Sequence, residues 1–301
     1  MTGNIAASIR HRLLNFSKEH GEEFQLTLTR YALQRFVVRL IESQHRDRFV
    51  LKGATLFTLW TDEKYRATRD LDLLGFGESR IQEMERIFKE ICVITSTEDG
   101  LVFQADSVKG ETIRDAEEYQ GVRITTQASL EQARIPIQVD IGFGDAITPA
   151  ANLINYPNIL GLSSASILCY PRETVVAEKF QAMTKLGMAN SRLKDFYDIW
   201  FLAMSFSFSG TELAKAIENT FTRRQTKVPR AVPIALTEEF SEDSAKKAQW
   251  RAFLTKAKAT VAPGTLPSVV EIIASFLMPP AVSVASKESF EMKWAAGGPW
   301  K

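Results

Sequence analysis

The sequence predicts an α+β protein, and three observations carry that prediction. Apolar residues recur at helical spacing within the first 50 residues. The middle of the chain holds β-branched and aromatic runs bounded by polar turns. From about Pro171 the pattern returns to helix. Strands and helices segregated along a chain in this way belong to the α+β class. With 301 residues the chain can bury a large core. The expected division is residues 1–170, holding N-terminal helices and a sheet core, and residues 171–301, mainly helical.

Each element has a local reason. In Thr27–Ser43, Leu33, Phe36, Val37, Leu40 and Ile41 form one helical stripe. Arg30, Arg35 and Arg39 fall largely on other faces and are expected to be a solvated, basic side of that helix. The apolar Phe49-Val50-Leu51 is followed by Lys52-Gly53-Ala54-Thr55 and a short helical stretch, Leu56–Trp60. A glycine at that junction permits a sharp turn and a close approach to a ligand. Ser79 and Gln82 have capping-box spacing, with Ile81, Met84, Phe88 and Ile91 as the buried stripe. Strands are expected over Leu101–Val108, Gly121–Ala128 and Ile135–Phe143. In the last, Ile135, Ile137, Val139, Ile141 and Phe143 share one face, while Pro136, Gln138, Asp140 and Gly142 share the other. Pro171 suits a helix start. Further helices are expected over Thr211–Phe221, Ser244–Lys258 and Pro267–Leu277. The tail from Pro279 reads as poorly ordered or loosely packed.

Composition narrows the function. Hydrophobic residues make up 45% and the net charge is +1, so any nucleic-acid or membrane binding needs a local patch. The two cysteines, Cys92 and Cys169, lack zinc spacing and suggest no disulfide framework. His11, His20 and His45 are not spaced as metal ligands and are expected at the surface. No signal-peptide core is evident, and no apolar run reaches the roughly 20 residues of a membrane span. A cytoplasmic location, with no membrane partner, is expected.

The most informative stretch is Arg66-Ala67-Thr68-Arg69-Asp70-Leu71-Asp72. On a strand, Asp70 and Asp72 point to one face and Leu71 and Leu73 to the other. Two adjacent carboxylates repel, and a hard divalent cation such as Mg²⁺ or Mn²⁺ relieves that repulsion while reaching substrate phosphates. Asp140 is a third carboxylate on the polar face of a later strand, and all three are expected as metal ligands. A glycine turn, an Asp-x-Asp strand and a third aspartate are what metal-dependent nucleotidyl transfer needs. The turn Lys52, Gly53, Ala54 and Thr55, with Arg66, Thr68 and Asp198, is expected at the phosphates of an NTP. Lys179 is a candidate phosphate contact. The basic loop Arg223, Arg224, Lys227 and Arg230, with the N-terminal helix, is the candidate RNA surface.

The stretches Phe49–Thr55 and Arg66–Asp72 resemble the AbiEii/AbiGii toxin family of nucleotidyltransferases. So does Thr174-Val175-Val176-Ala177-Glu178-Lys179-Phe180-Gln181-Ala182 with Arg192–Asp198, which is similar to that family's downstream Ala-Glu-Lys and Arg-Asp-x-x-Asp motifs. The likeness runs from about residue 10 to about residue 280. It implies a polymerase-β-like nucleotidyltransferase core, a mixed sheet flanked by helices, with a C-terminal helical region supplying Lys179 and Asp195. Family members are toxins of bacterial toxin–antitoxin and phage-defence systems, with the MenT toxins as relatives. Some relatives transfer nucleotides to the tRNA acceptor end and so block translation. The resemblance implies that Asp70 and Asp72 hold metal and that Lys179 contacts phosphate. It implies that one of Asp195 and Asp198 is catalytically needed, Asp195 being favoured because it follows a basic residue. It also implies an AbiEi-like antitoxin. Two departures stand out: Gly53-Ala54 where the wider superfamily has Gly-Ser, and Lys194 where arginine is usual. Nucleotide transfer to a protein side chain, a lone housekeeping nucleotidyltransferase and a non-catalytic binding protein on the same fold are the alternatives.

Overall fold

A computed structural model describes residues 2–61, 69–114, 120–257, 261 and 263–301. Arg66 and Thr68 therefore lie outside the described residues. The chain divides into two compact units.

The first unit holds the described residues up to Gly144 and Asn152–Cys169. Its helices are α1 (Thr2–Glu19), α2 (Phe24–Glu42), the short α3 (Phe57–Trp60) and α4 (Ile81–Cys92). Its strands are β1 (Phe49–Lys52), β2 (Leu71–Gly75), β3 (Val102–Arg114), β4 (Gln120–Leu130), β5 (Ala133–Phe143), β6 (Asn152–Asn155) and β7 (Ser166–Cys169). They form one seven-stranded sheet in the order β3-β4-β5-β2-β1-β7-β6. The sheet is mixed: β2 runs parallel to β5, and β1 parallel to β7, while the other pairs are antiparallel. The expected fold class, a mixed sheet flanked by helices with a helical region after it, is the one observed.

The alternation in β5 decides its two faces. Ile135, Ile137, Val139 and Ile141 are buried, whereas Gln138 and Asp140 on the other face are half-buried and Pro136 is exposed. Leu71 and Leu73 of β2 are likewise fully buried. Helix α2 packs on β5, and α4 on β3.

Three local expectations are corrected in this unit. Helix α4 begins at Ile81 with Arg80 as its N-cap and no side-chain cap hydrogen bond, so the Ser79–Gln82 capping box does not form. Arg35 and Arg39 of α2 are not a solvated face: each is 1% exposed. They converge on Asp99, with Arg35 Nε 3.0 Å and Arg39 Nη1 2.7 Å from Oδ2. A carboxylate some 60 residues away in sequence neutralises them, which helical periodicity does not reveal. His45 is buried too, with Nε2 2.7 Å from Glu90.

The second unit holds Asp145–Ala151 and Tyr170–Lys301. It contains α5 (Arg172–Leu186), α6 (Leu193–Ser205), β8 (Phe208–Ser209), α7 (Gly210–Arg223), α8 (Glu238–Glu242), α9 (Ser244–Ala257), α10 (Leu266–Ser286) and β9 (Lys293–Trp294). Pro171 caps α5 as expected. Ser209 and Thr265 cap α7 and α10 with their hydroxyls.

The tail is the main correction here. Helix α10 runs through Pro279 and Pro280, and the chain beyond it is pinned. Trp294 is 2% exposed and donates from Nε1 to the Ala203 carbonyl at 2.7 Å. Trp300 stacks on Phe276 and donates to its carbonyl at 2.9 Å. Prolines inside a helix cost about 3 kcal/mol each, and burying a large aromatic returns about as much. By length and composition α10 passes as a membrane span, contrary to expectation. Its Val269, Ile273, Phe276 and Leu277 are nonetheless buried within this unit, where the helix packs on α6 and α7.

Candidate functional site

The sheet carries the first cluster. Strand β1 ends at Lys52, and Gly53 turns with φ +77° and ψ −162°. A β-carbon at residue 53 would stand 1.9 Å from Asp72 Oδ2. The Asp72 carboxylate thus lies on the α-carbon of Gly53, a place only glycine leaves open. Ala54 and Thr55 follow as a buried 3-10 turn.

Register then builds a row across the sheet. Lys52 pairs with Asp72, Asp72 with Asp140, Asp140 with Arg123, and Arg123 with Glu111. Directly paired residues share a face, so five charged side chains from β1, β2, β5, β4 and β3 lie in line. Asp70 immediately precedes β2. Asp140 is held by Arg123, with Nε to Oδ1 and Nη2 to Oδ2 both at 2.8 Å. Those hydrogen bonds raise the Arg123 pKa, and the charges of Glu111 and Asp70 add to the effect. Arg123 was not singled out from the sequence. Its place on the polar side of an alternating strand was the available signal.

The donors suit a hard cation. Asp70 and Asp72 offer carboxylate oxygens, and the glycine cradle fixes where Asp72 stands. Among the described residues, however, no three acidic, histidine or cysteine side chains converge as a ready cage. Mg²⁺ characteristically takes one or two carboxylates and completes its shell with phosphate and water.

The helical unit carries the second cluster. Lys179 on α5 places Nζ 2.6 Å from Asp195 Oδ1 and 2.9 Å from Asp198 Oδ2, both on α6. Arg192 Nε is 2.9 Å from Asp195 Oδ2. Both aspartates are buried, at 1% and 0% exposure. Their spacing of three puts them on one helix face, and α5 closes onto that face after Gly187 ends it at φ 51°. The arginine at Asp195 is therefore Arg192, while Lys194 is exposed. The substitution noted at Lys194 thus leaves Asp195 with a guanidinium.

The basic loop divides. Arg223, Lys227 and Arg230 are exposed, and Arg230 donates to the Ala285 carbonyl at 3.1 Å. Arg224 is largely buried, 3.0 Å from Asp145 and 3.3 Å from Glu178, and it donates to Gln181 at 3.0 Å. Its charge serves the packing of this unit. Arg35 and Arg39 of the N-terminal helices are likewise enclosed.

A mixed sheet with an Asp-x-Asp strand beside a glycine turn, followed by helices carrying a lysine–aspartate cluster, is the make-up of a nucleotidyltransferase. Residues 35–275 match the family model described as the AbiEii nucleotidyl transferase toxin of a type IV toxin–antitoxin system, and the chain belongs to that family. Among solved structures, JHP933 from Helicobacter pylori is similar at 15% identity and TM-score 0.44, over 85% of this chain and 90% of that one. A second H. pylori structure, provisionally described as a nucleotidyltransferase, is similar at 16% identity and TM-score 0.44, over 85% and 93%. No curated protein matches the chain.

Proposed function

We propose that this toxin transfers a nucleoside monophosphate from an NTP to an RNA 3′ end, above all the tRNA acceptor end, and so arrests translation in the cytoplasm. The RNA 3′-hydroxyl gives up its proton to water as its oxygen bonds to the α-phosphorus, the bond from that phosphorus to the bridging oxygen breaks, and pyrophosphate leaves. The observation that carries this reading is the seat of Asp72 on Gly53, in a chain of a nucleotidyltransferase toxin family.

Asp70 and Asp72 would hold Mg²⁺ or Mn²⁺, which when bound neutralises phosphate charge and polarises the α-phosphate. Backbone N–H groups of the Gly53 turn, with Lys52 beside them, meet the phosphates. Lys179, held between Asp195 and Asp198, has the phosphate-contacting role that the likeness to the family implies, and Asp195 fixes where its ammonium stands. Arg223, Lys227 and Arg230 offer charge to an RNA backbone. The cognate antitoxin is of the AbiEi kind, and the pair acts in phage defence.

The test is incubation of the protein with total RNA, Mg²⁺ and each labelled NTP in turn, followed by separation of RNA from protein and sequencing of labelled 3′ ends. Label on tRNA 3′ ends, lost together with toxicity in Asp72→Ala, is the expected result. Label in the protein fraction would show transfer to a side chain instead. Full transfer by Asp72→Ala would refute the ligand role.

A further inference from the structure

The row across the sheet places a cation where a third carboxylate would otherwise meet metal. Arg123 lies between Glu111 on β3, 3.8 Å away, and Asp140 on β5. It takes both oxygens of Asp140 at 2.8 Å, and Gln138 Nε2 approaches the same oxygens at 3.4 and 3.5 Å. Bidentate guanidinium–carboxylate pairs are among the stronger hydrogen-bonded contacts, and this one neutralises the Asp140 carboxylate and sets a positive charge beside it that repels a divalent cation. The next residue in the row is Asp72, directly paired with Asp140. A fixed positive charge therefore stands two strands from the Asp72 carboxylate.

We propose that Arg123 stands in for a second cation: the sheet binds one divalent ion through Asp70 and Asp72, and Asp140 positions Arg123 instead of ligating metal. This rests on the transfer reading above and specifies its site. A two-metal site clamps the attacking and leaving oxygens with two ions about 3.5–4 Å apart. Here one of those charges is a guanidinium, which needs no loading from solution and can face phosphate oxygens through its N–H groups. Arg123 keeps about a third of its side chain exposed, so it remains accessible to substrate.

Crystals of the full chain soaked in MnCl₂ with a non-hydrolysable NTP analogue test this through anomalous scattering. The wild type should show one manganese peak, bonded to Asp70 and Asp72, with the Arg123–Asp140 pair intact. Arg123→Gln should add a second peak at Asp140. A wild-type peak within bonding distance of Asp140, or no second peak in Arg123→Gln, overturns the inference and leaves the transfer reading standing. Manganese at none of the three aspartates overturns both. In solution, Asp140→Asn should keep the wild-type Mn²⁺ count by electron paramagnetic resonance. Its kcat should fall about 10- to 100-fold with KM for NTP little changed. Loss of bound Mn²⁺ in that variant identifies Asp140 as a ligand and ends the proposal.

Discussion

Gly53 and Asp72 are in direct contact: the carboxylate of one occupies the space a side chain on the other would need, with Oδ2 only 1.9 Å from the ideal β-carbon position. The glycine is also at φ +77°, where other residues are strained. The glycine turn after β1 and the strand that carries Asp72 are therefore a single interlocked feature.

Gly53→Ala should lower stability by about 3 kcal/mol, combining backbone strain and displacement of Asp72. Transfer should drop about 100-fold, since a shift near 1 Å at a reacting centre has that effect. Asp72→Gly in the same chain should return part of the stability, because the clashing atoms are gone, and none of the transfer. Urea denaturation of the single and double variants measures the coupling. Simple additivity would show that the contact carries no energy.

Lys179→Ala should destabilise the helical unit by about 3–5 kcal/mol, because Asp195 and Asp198 stay buried after a shared cation is removed. Adding Asp198→Asn should recover much of that loss by discharging one carboxylate, while transfer stays absent. Denaturant midpoints and labelled-NTP incorporation read the two effects separately. A double variant as unstable as the single one would mean that the pair does not balance charge.

Stability should hold above about pH 5 and fall as the pH drops from about 4 towards 2. Burial pushes the Asp99 carboxyl up, but hydrogen bonds and charge from Arg39, with further bonds from Leu101 N–H and Arg35, bring it below its ordinary value. Hydrogen bonds from Arg86 and Arg48 bring Glu83 down to about 2. A carboxylate whose pKa is depressed by folding stabilises the protein above its unfolded pKa, and that contribution is lost as pH falls through the folded one. Thermal melts between pH 2 and 7 follow this. Asp99→Asn should lower Tm at pH 7 and flatten the acid limb, and an unchanged limb would assign it to other groups.

Deleting residues 287–301 removes Trp294 and Trp300 together and should destabilise the helical unit by about 6–10 kcal/mol, at about 3–5 kcal/mol for each buried tryptophan lost. Trp300→Ala should lose about half of that, because its ring alone leaves the space against Phe276. Calorimetry detects either change, and a melt unaltered by the deletion would return the tail to a loosely packed role.

Much of the fold was legible because it is local. The alternation of Ile135–Phe143, the helical stripe of Leu33–Ile41 and the start of α5 after Pro171 each follow from neighbours in sequence. The candidate site was legible as residue types: Asp70 and Asp72 two apart, glycine before Ala54, and Asp195 and Asp198 three apart. What could not be read was the pairing of charges. Arg39 was expected in solvent and is buried on Asp99, and Arg224 was expected on RNA and is held by Asp145 and Glu178. The tail failed as a prediction for the same reason, since Trp294 and Trp300 find their partners on helices far back in the chain.

By itself the sequence determined the elements, the alternating faces and the spacing of the carboxylates, because backbone geometry repeats every 2 or 3.6 residues and needs only nearby side chains to reveal it. Tertiary structure alone decided that Arg123 meets Asp140 and that Lys179 meets Asp195 and Asp198. Strand register and helix packing choose which distant charges share a face, and an ionised group leaves water only where such a partner is waiting.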